Sequence, residues 1–142
     1  MATGLADIDN FKCINDQYGH KAGDMVLHTL ANSLQSLFRQ EDAFCRYGGE
    51  EFAFVILANE PEHIKTLCTR LITQVRNLNC PINEHDDISV TISLGVCLSK
   101  PAHKEQALLG ITLDMADSTL YDVKTNPKDD VAYTEFISRP SD

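Results

Sequence analysis

This chain of 142 residues lacks most of the features that assign a function cheaply. It has no apolar run long enough to cross a bilayer and no basic-then-apolar leader, so a soluble cytoplasmic domain is expected. It has no basic excess. The formal net charge is −9, which excludes a general DNA or RNA binder, because that needs clustered Lys and Arg to displace counterions. One small polyanion, held through a metal and a few local cations, remains compatible with such a surface. The five cysteines (Cys13, Cys45, Cys68, Cys80, Cys97) are odd in number and never form a CxxC pair. Neither a disulfide framework nor a zinc knuckle is expected of them. The histidines form no HxxxH or HExxH group. Internal repeats and low-complexity linkers are also missing, so residues 1–142 read as a single domain around one core, with 137–142 as a frayed tail.

What is present is an alternation of strand-like and helix-like segments. GLADI predicts a short first strand, and residues 10–21 read as polar and turn-prone. From Ala22 to Gln40, apolar residues at 26, 27, 30, 34, 37 and 38 predict an amphipathic helix, with Asp24 in its first turn. DAFCRYGGEEFAFVIL predicts strand, glycine turn and strand. Residues 60–78 predict a second helix, with Pro61 at its start and Ile64, Leu67, Cys68, Leu71, Ile72, Val75 and Leu78 on one face. DISVTISLGVCLS predicts a strand. Residues 105–125 predict a third helix whose face holds Leu108, Leu109, Met115, Ala116, Thr119, Leu120 and Val123. It should end near Asn126, which precedes Pro127. DDVAYTEFIS predicts a last strand. The pattern implies an α/β or α+β sandwich, one sheet with helices packed on it.

Two short stretches bear on chemistry. Asp7-Ile8-Asp9 ends the first strand, and Gly48-Gly49-Glu50-Glu51 turns the hairpin. Carboxylates from neighbouring strand ends can converge on Mg²⁺ and hold it against a substrate phosphate, for phosphoryl transfer. Glycines without side chains let a base or phosphate approach the backbone. From residue types alone, a plain hairpin turn with two solvated glutamates is the competing reading.

The stretches DIDNFKCINDQYGHKAGD and RYGGEEF resemble the GGDEF family of diguanylate cyclases, here in the GGEEF form. The pattern D-x-D-x-F-K-x-x-N-D-x-x-G-H-x-x-G-D is met at every named position from Asp7 to Asp24, and similarity continues through VTISLGV and ADSTLY. The resemblance implies a mostly antiparallel central sheet flanked by helices, in a nucleotide-cyclase and polymerase-palm-like arrangement. It implies a bacterial cytoplasmic enzyme that condenses two GTP molecules into cyclic di-GMP and pyrophosphate, needs a homodimer for catalysis, and uses Mg²⁺ or Mn²⁺. By the same resemblance Asp7, the Ile8 carbonyl and Glu50 bind the metal, and Glu50 and Glu51 take part in base chemistry. Lys12 offsets phosphate charge. Asn15 and Asp24 read guanine, His20 lies near the substrate, and Gly48 and Gly49 form its floor. Lys124 and Lys128 clamp the triphosphate, brought to one side by their spacing of four if the helix continues. Phe11 and Tyr18 read as packing residues, and Asp9 as the residue that holds its loop together.

Arg39-Gln40-Glu41-Asp42 gives R-x-x-D at the offset of the family's inhibitory site for cyclic di-GMP, with Arg70 as its additional arginine. Two departures stand against the pattern. The first family helix and most of the first strand are absent before Asp7, and the usual G-R-N reads Pro127-Lys128-Asp129. They make a catalytically impaired module the alternative, one that binds cyclic di-GMP or GTP or signals by dimerising.

Overall fold

The computed structural model describes residues 1–100, 109–126 and 128–136. Strand β1 (Ala2–Ile8) is followed by helices α1 (Phe11–Tyr18) and α2 (His20–Gln35), then by strands β2 (Ala43–Gly48) and β3 (Glu51–Ile56). Helix α3 (Pro61–Arg76) leads to the short strands β4 (Cys80–Pro81) and β5 (Asp87–Ile88), and then to β6 (Ile92–Leu98). Helix α4 (Leu109–Thr125) and strand β7 (Val131–Glu135) complete the described chain. The main sheet runs β2-β3-β1-β6-β7, while β4 and β5 form a separate ribbon. β1 is antiparallel to both neighbours, and β6 and β7 are parallel, with α4 as the crossover that parallel strands require. The α+β arrangement with a mostly antiparallel sheet is as expected.

The strand alternation sorts side chains between two cores. Even-numbered residues Ala2, Ala6 and Ile8 join Phe52, Phe54, Leu94 and Val96 beneath α2 and α3. Odd-numbered Leu5 joins Ala53 and Cys97 against Ala116 and Leu120 of α4. Asp7 has the parity of Leu5, so the strand end presents it to the α4 side. Gly95 is what lets α4 sit so low. A Cβ there would collide with the backbone of Ala116 and Leu120, so only glycine permits the approach.

Four expectations need correction. β1 is longer than the GLADI stretch and spans Ala2–Ile8. Its seven residues are buried and pair along their length with β3 and β6, so two neighbours supply what its two alanines and Gly4 lack in strand preference. Residues 10–21 are not turns. They form α1 and the start of α2, with Ile14 buried and Phe11 packed on the core, while Tyr18 is exposed. Because α2 begins at His20, Asp24 lies beyond its first turn, and Leu37 and Phe38 follow its end. On α4, Leu109 is exposed and does not join the buried face, which is Thr112, Ala116, Thr119, Leu120 and Val123. α3 follows expectation, with Pro61 in its first turn and Ile64, Cys68, Leu71, Ile72 and Val75 buried. The expectations for 105–108, Pro127 and the 137–142 tail lie outside the described residues. Cys13 and Cys45 are exposed, Cys68, Cys80 and Cys97 are buried, and all five are free.

Candidate active site

The site grows from the carboxyl end of β1. Asp7 pairs across the sheet with Glu51 on one side and Ser93 on the other. Directly opposed side chains share a face, so Glu51 also lies on the α4 side. The Ile8 amide donates to the Glu50 carbonyl at 3.4 Å, which ties the hairpin turn to the strand end. Gly49 makes that turn with φ of +35°, and neither Gly48 nor Gly49 has any atom near the place a Cβ would take. The turn is therefore open to solvent above its backbone.

Lys124, in the last turn of α4, reaches this point. Its Nζ lies 3.3 Å from Asp7 Oδ1 and 3.7 Å from Asp9 Oδ1, and donates to the Ile8 carbonyl at 3.5 Å. The two carboxylates then divide their work. Asp9 is saturated: Thr91 Oγ1 and the Asp129 amide donate to its Oδ2 at 2.7 and 3.0 Å, and Ser93 Oγ donates to its Oδ1 at 2.6 Å. Asp9 thus holds strand β6 and the segment before β7 in place. Asp7 is different. It is buried, and its Oδ1 accepts no hydrogen bond, although the Lys124 ammonium stands beside it.

Burial pushes the Asp7 carboxyl above its ordinary value. Lys124 opposes the shift, and Glu50 and Asp9 add to it. Burial also raises Glu51, with Asp7 and then Asp117 as further causes. A carboxyl that holds its proton to higher pH in the folded chain than in the unfolded chain makes the fold less stable as pH rises through that window. Asp7→Asn removes this cost. It should raise the melting temperature of metal-free protein at neutral pH, and the gain should shrink as pH falls toward the ordinary aspartate value of 3.8. Thermal melts of both proteins across pH check this.

Asp7, the Ile8 carbonyl and Glu50 form an all-oxygen set. A cationic ammonium already rests against two of the three groups. These residues fit Mg²⁺ or Mn²⁺, which binds through one or two carboxylates and leaves room for substrate phosphates. Among the described residues, no three His, Cys, Asp or Glu side chains make a self-sufficient metal cage.

The remaining expected site residues distribute as follows. Lys12 is exposed on α1 and His20 is exposed at the start of α2. Asn15 lies behind Gly23, with its Oδ1 buried and without a partner. Asp24 borders a pocket of about 430 Å³ that includes Leu27, Phe44, Arg46 and Phe52. Lys128 is not on α4, which ends at Thr125, so the helix-spacing argument fails for it. It is nevertheless directed toward the site, because its Nζ donates to Asn10 Oδ1 at 2.8 Å. Gly23→Ala should keep the fold, since alanine favours helix by about 1 kcal/mol over glycine. Its methyl would displace Asn15, and binding of guanosine nucleotides should weaken about tenfold by calorimetry, the scale of one lost charge-free hydrogen bond.

Arg39, Asp42 and Arg70 border one pocket with Leu37, His63 and Leu67. Asp42 already accepts from the Arg39 amide and from the Leu57 amide, each at 3.0 Å, so it fixes the chain before β2 as well as facing the pocket. Asp117 was not foreseen as a neighbour of Glu51. Its place seven residues before Lys124, two turns along one helix face, was the available signal.

The chain is similar to known proteins in sequence and in fold. Residues 2–130 match the family described as "Diguanylate cyclase, GGDEF domain". Over 120 residues the chain is 36% identical to diguanylate cyclase DgcZ of Escherichia coli, covering 84% of this chain and 39% of that protein. It is 37% identical over 129 residues to Bacillus subtilis YhcK, covering 91% of this chain and 35% of that one. The chain thus spans little more than a third of these relatives. Among solved structures, the GGDEF domain of PA1120 (YfiN or TpbB) from Pseudomonas aeruginosa superposes with a TM-score of 0.86 at 26% identity, covering 96% of this chain and 83% of that one. The GGDEF domain of DgcB from Caulobacter crescentus, in complex with c-di-GMP, gives 0.82 at 26% identity, covering 93% and 76%.

Proposed function

Because this chain belongs to the GGDEF-domain family of diguanylate cyclases, we propose that it condenses two GTP molecules into cyclic di-GMP. One observation carries the proposal. Asp7, the Ile8 carbonyl and the GGEEF turn meet at one point, and Asp7 offers a buried carboxylate whose Oδ1 faces a cation, the Lys124 ammonium at 3.3 Å. That is poor economy for a hairpin with solvated shoulders and good preparation for a cation.

Asp7, the Ile8 carbonyl and Glu50 would hold Mg²⁺ or Mn²⁺, which neutralises phosphate charge and polarises the α-phosphate when bound. The chain's own residues do the rest. Asn15 and Asp24 offer an amide and a carboxylate, the complement of a guanine edge. Lys12, Lys124 and Lys128 supply positive charge to the triphosphate. Lys124 lies against Asp7 and the Ile8 carbonyl, the oxygens that would hold the metal, so its ammonium stands where it would meet the phosphates. Lys128 offers a point charge without the two-pronged grip of arginine, and a looser hold on phosphate follows. Glu51, held above the usual carboxylate range, is suited to accept the proton of the attacking 3′-hydroxyl with Glu50 beside it. In each of two transfers, a 3′-oxygen forms a bond to the α-phosphorus of the other GTP. The bond from that phosphorus to pyrophosphate breaks. One domain holds one GTP, so two copies must face each other, in the cytoplasm where GTP is found. Among the described residues no helix is long and apolar enough to cross a membrane.

The pocket of Arg39, Asp42 and Arg70 supports a second role, binding of cyclic di-GMP as an inhibitor. Arginine forks suit phosphate and guanine edges. If the domain were only a binding module, this pocket would remain its working part. Incubation with GTP and Mg²⁺, followed by chromatography for cyclic di-GMP, decides between the roles. Product formation supports the cyclase. No product, together with cyclic di-GMP binding that Arg39→Ala abolishes, selects the module.

A further inference from the structure

The segment joining α4 to β7 has an unfavourable backbone. Lys128 and Asp129 both take left-handed φ values, 62° and 50°, without being glycine. Such a pair persists only where its surroundings hold it. The holding contacts converge on Asp129. Its amide donates to Asp9 Oδ2 at 3.0 Å and to Ser93 Oγ at 3.2 Å. From the other side, Arg76 at the end of α3 grips the same residue twice. Its Nε donates to Asp129 Oδ2 at 2.8 Å and its Nη2 donates to the Asp129 carbonyl at 3.0 Å.

The guanidinium meets a need as well as a shape. Asp129 donates its amide to the Asp9 carboxylate and precedes Asp130, so two acidic residues adjoin in this segment and it packs against a third. Arg76 is the cation on Asp129, as Lys124 is on Asp9. We propose that Arg76 is a positioning residue that latches the left-handed Lys128–Asp129 pair and so fixes Lys128 at the edge of the site, where its Nζ meets Asn10. This rests on the reading that Lys128 holds the triphosphate. The latch acts on loop position and not on the fold. Arg76 and Asp129 are 49% and 30% exposed, and exposed pairs add little to global stability. Its two contacts on one residue still select one backbone conformation.

The test uses Arg76→Ala, Arg76→Ala with Asp129→Asn, and Lys128→Ala. Two quantities are read on the full chain: amide hydrogen exchange at 128–131 without nucleotide, and calorimetric affinity for a GTP analogue with a methylene between its α- and β-phosphates, with Mg²⁺. Arg76→Ala should speed exchange and weaken the analogue, each about fivefold, the scale of an exposed ion pair, with the melting temperature unchanged. Asp129→Asn in that background should restore part of both, the part owed to the unneutralised carboxylate and not that owed to the carbonyl contact. Lys128→Ala should weaken the analogue without altering exchange. Parent-rate exchange in Arg76→Ala overturns the latch. Faster exchange with no recovery in the double variant overturns charge neutralisation as its basis. Unchanged affinity in Lys128→Ala defeats the reading of Lys128 and its link to nucleotide, whatever exchange shows.

Discussion

Glu50→Ala is expected to abolish cyclic di-GMP synthesis, by about a thousandfold or more, while the fold stays intact. The magnitude follows from removing one of two carboxylates that would hold the metal, whose stabilisation of phosphoryl transfer amounts to several kcal/mol, with each 1.4 kcal/mol worth about tenfold. The fold survives because the structural part of Glu50 is its backbone. Its carbonyl accepts from the Ile8 amide, and alanine keeps that bond. Glu50 sits at the rim of the sheet, half-buried, away from either apolar core. Melting of the variant should match the parent within about 0.5 kcal/mol, as for surface changes generally. Product at the parent rate would refute the metal assignment. A collapsed melting curve would make the residue structural.

Asp9→Ala should do the reverse and destabilise the whole domain. The Asp9 carboxylate is 1% exposed, yet the hydroxyls of Thr91 and Ser93 and the amide of Asp129 all donate to it, with Lys124 close by. Alanine leaves those donors without their acceptor, while Lys124 keeps Asp7 and the Ile8 carbonyl. Leaving buried donors unsatisfied costs about 1–3 kcal/mol each, so about 3–5 kcal/mol is expected for the three. For a domain of this size the melting temperature should fall by roughly 10 °C. Differential scanning calorimetry is the check. Asp9→Asn should lose less, because its amide oxygen can still accept. A melting temperature unchanged in Asp9→Ala would mean that the donors find other acceptors and that Asp9 is not the hub.

The contrast between these acids shows what the sequence could reveal. The hairpin was legible because its signal is local: two glycines between two apolar runs, matched by β2 and β3. The placement of Asp7 by Glu50 and Glu51 followed from strand ends and from the family pattern. The bonds of Asp9 were not legible, because their donors lie 82 to 120 residues further along the chain. Arg76 and Asp129 are 53 residues apart and belong to no shared motif. Helix α1 was hidden by its composition. Of its eight residues only Ile14 is buried, so no apolar stripe announces it. β1 seemed short because Ala and Gly are weak strand formers, while its stability comes from pairing on both edges. The helical spacing offered for Lys128 does not apply. The helix ends before it, and a left-handed turn, not helical spacing, brings it back to the site.

The central claim is that two copies of this domain, each holding one GTP, join them. Its most direct test is the initial rate of cyclic di-GMP formation from GTP and Mg²⁺ over a wide range of protein concentrations. The account predicts a product that disappears when the metal is chelated, and a rate per domain that rises with concentration until pairing saturates. Folded protein that yields no cyclic di-GMP at any concentration would contradict it.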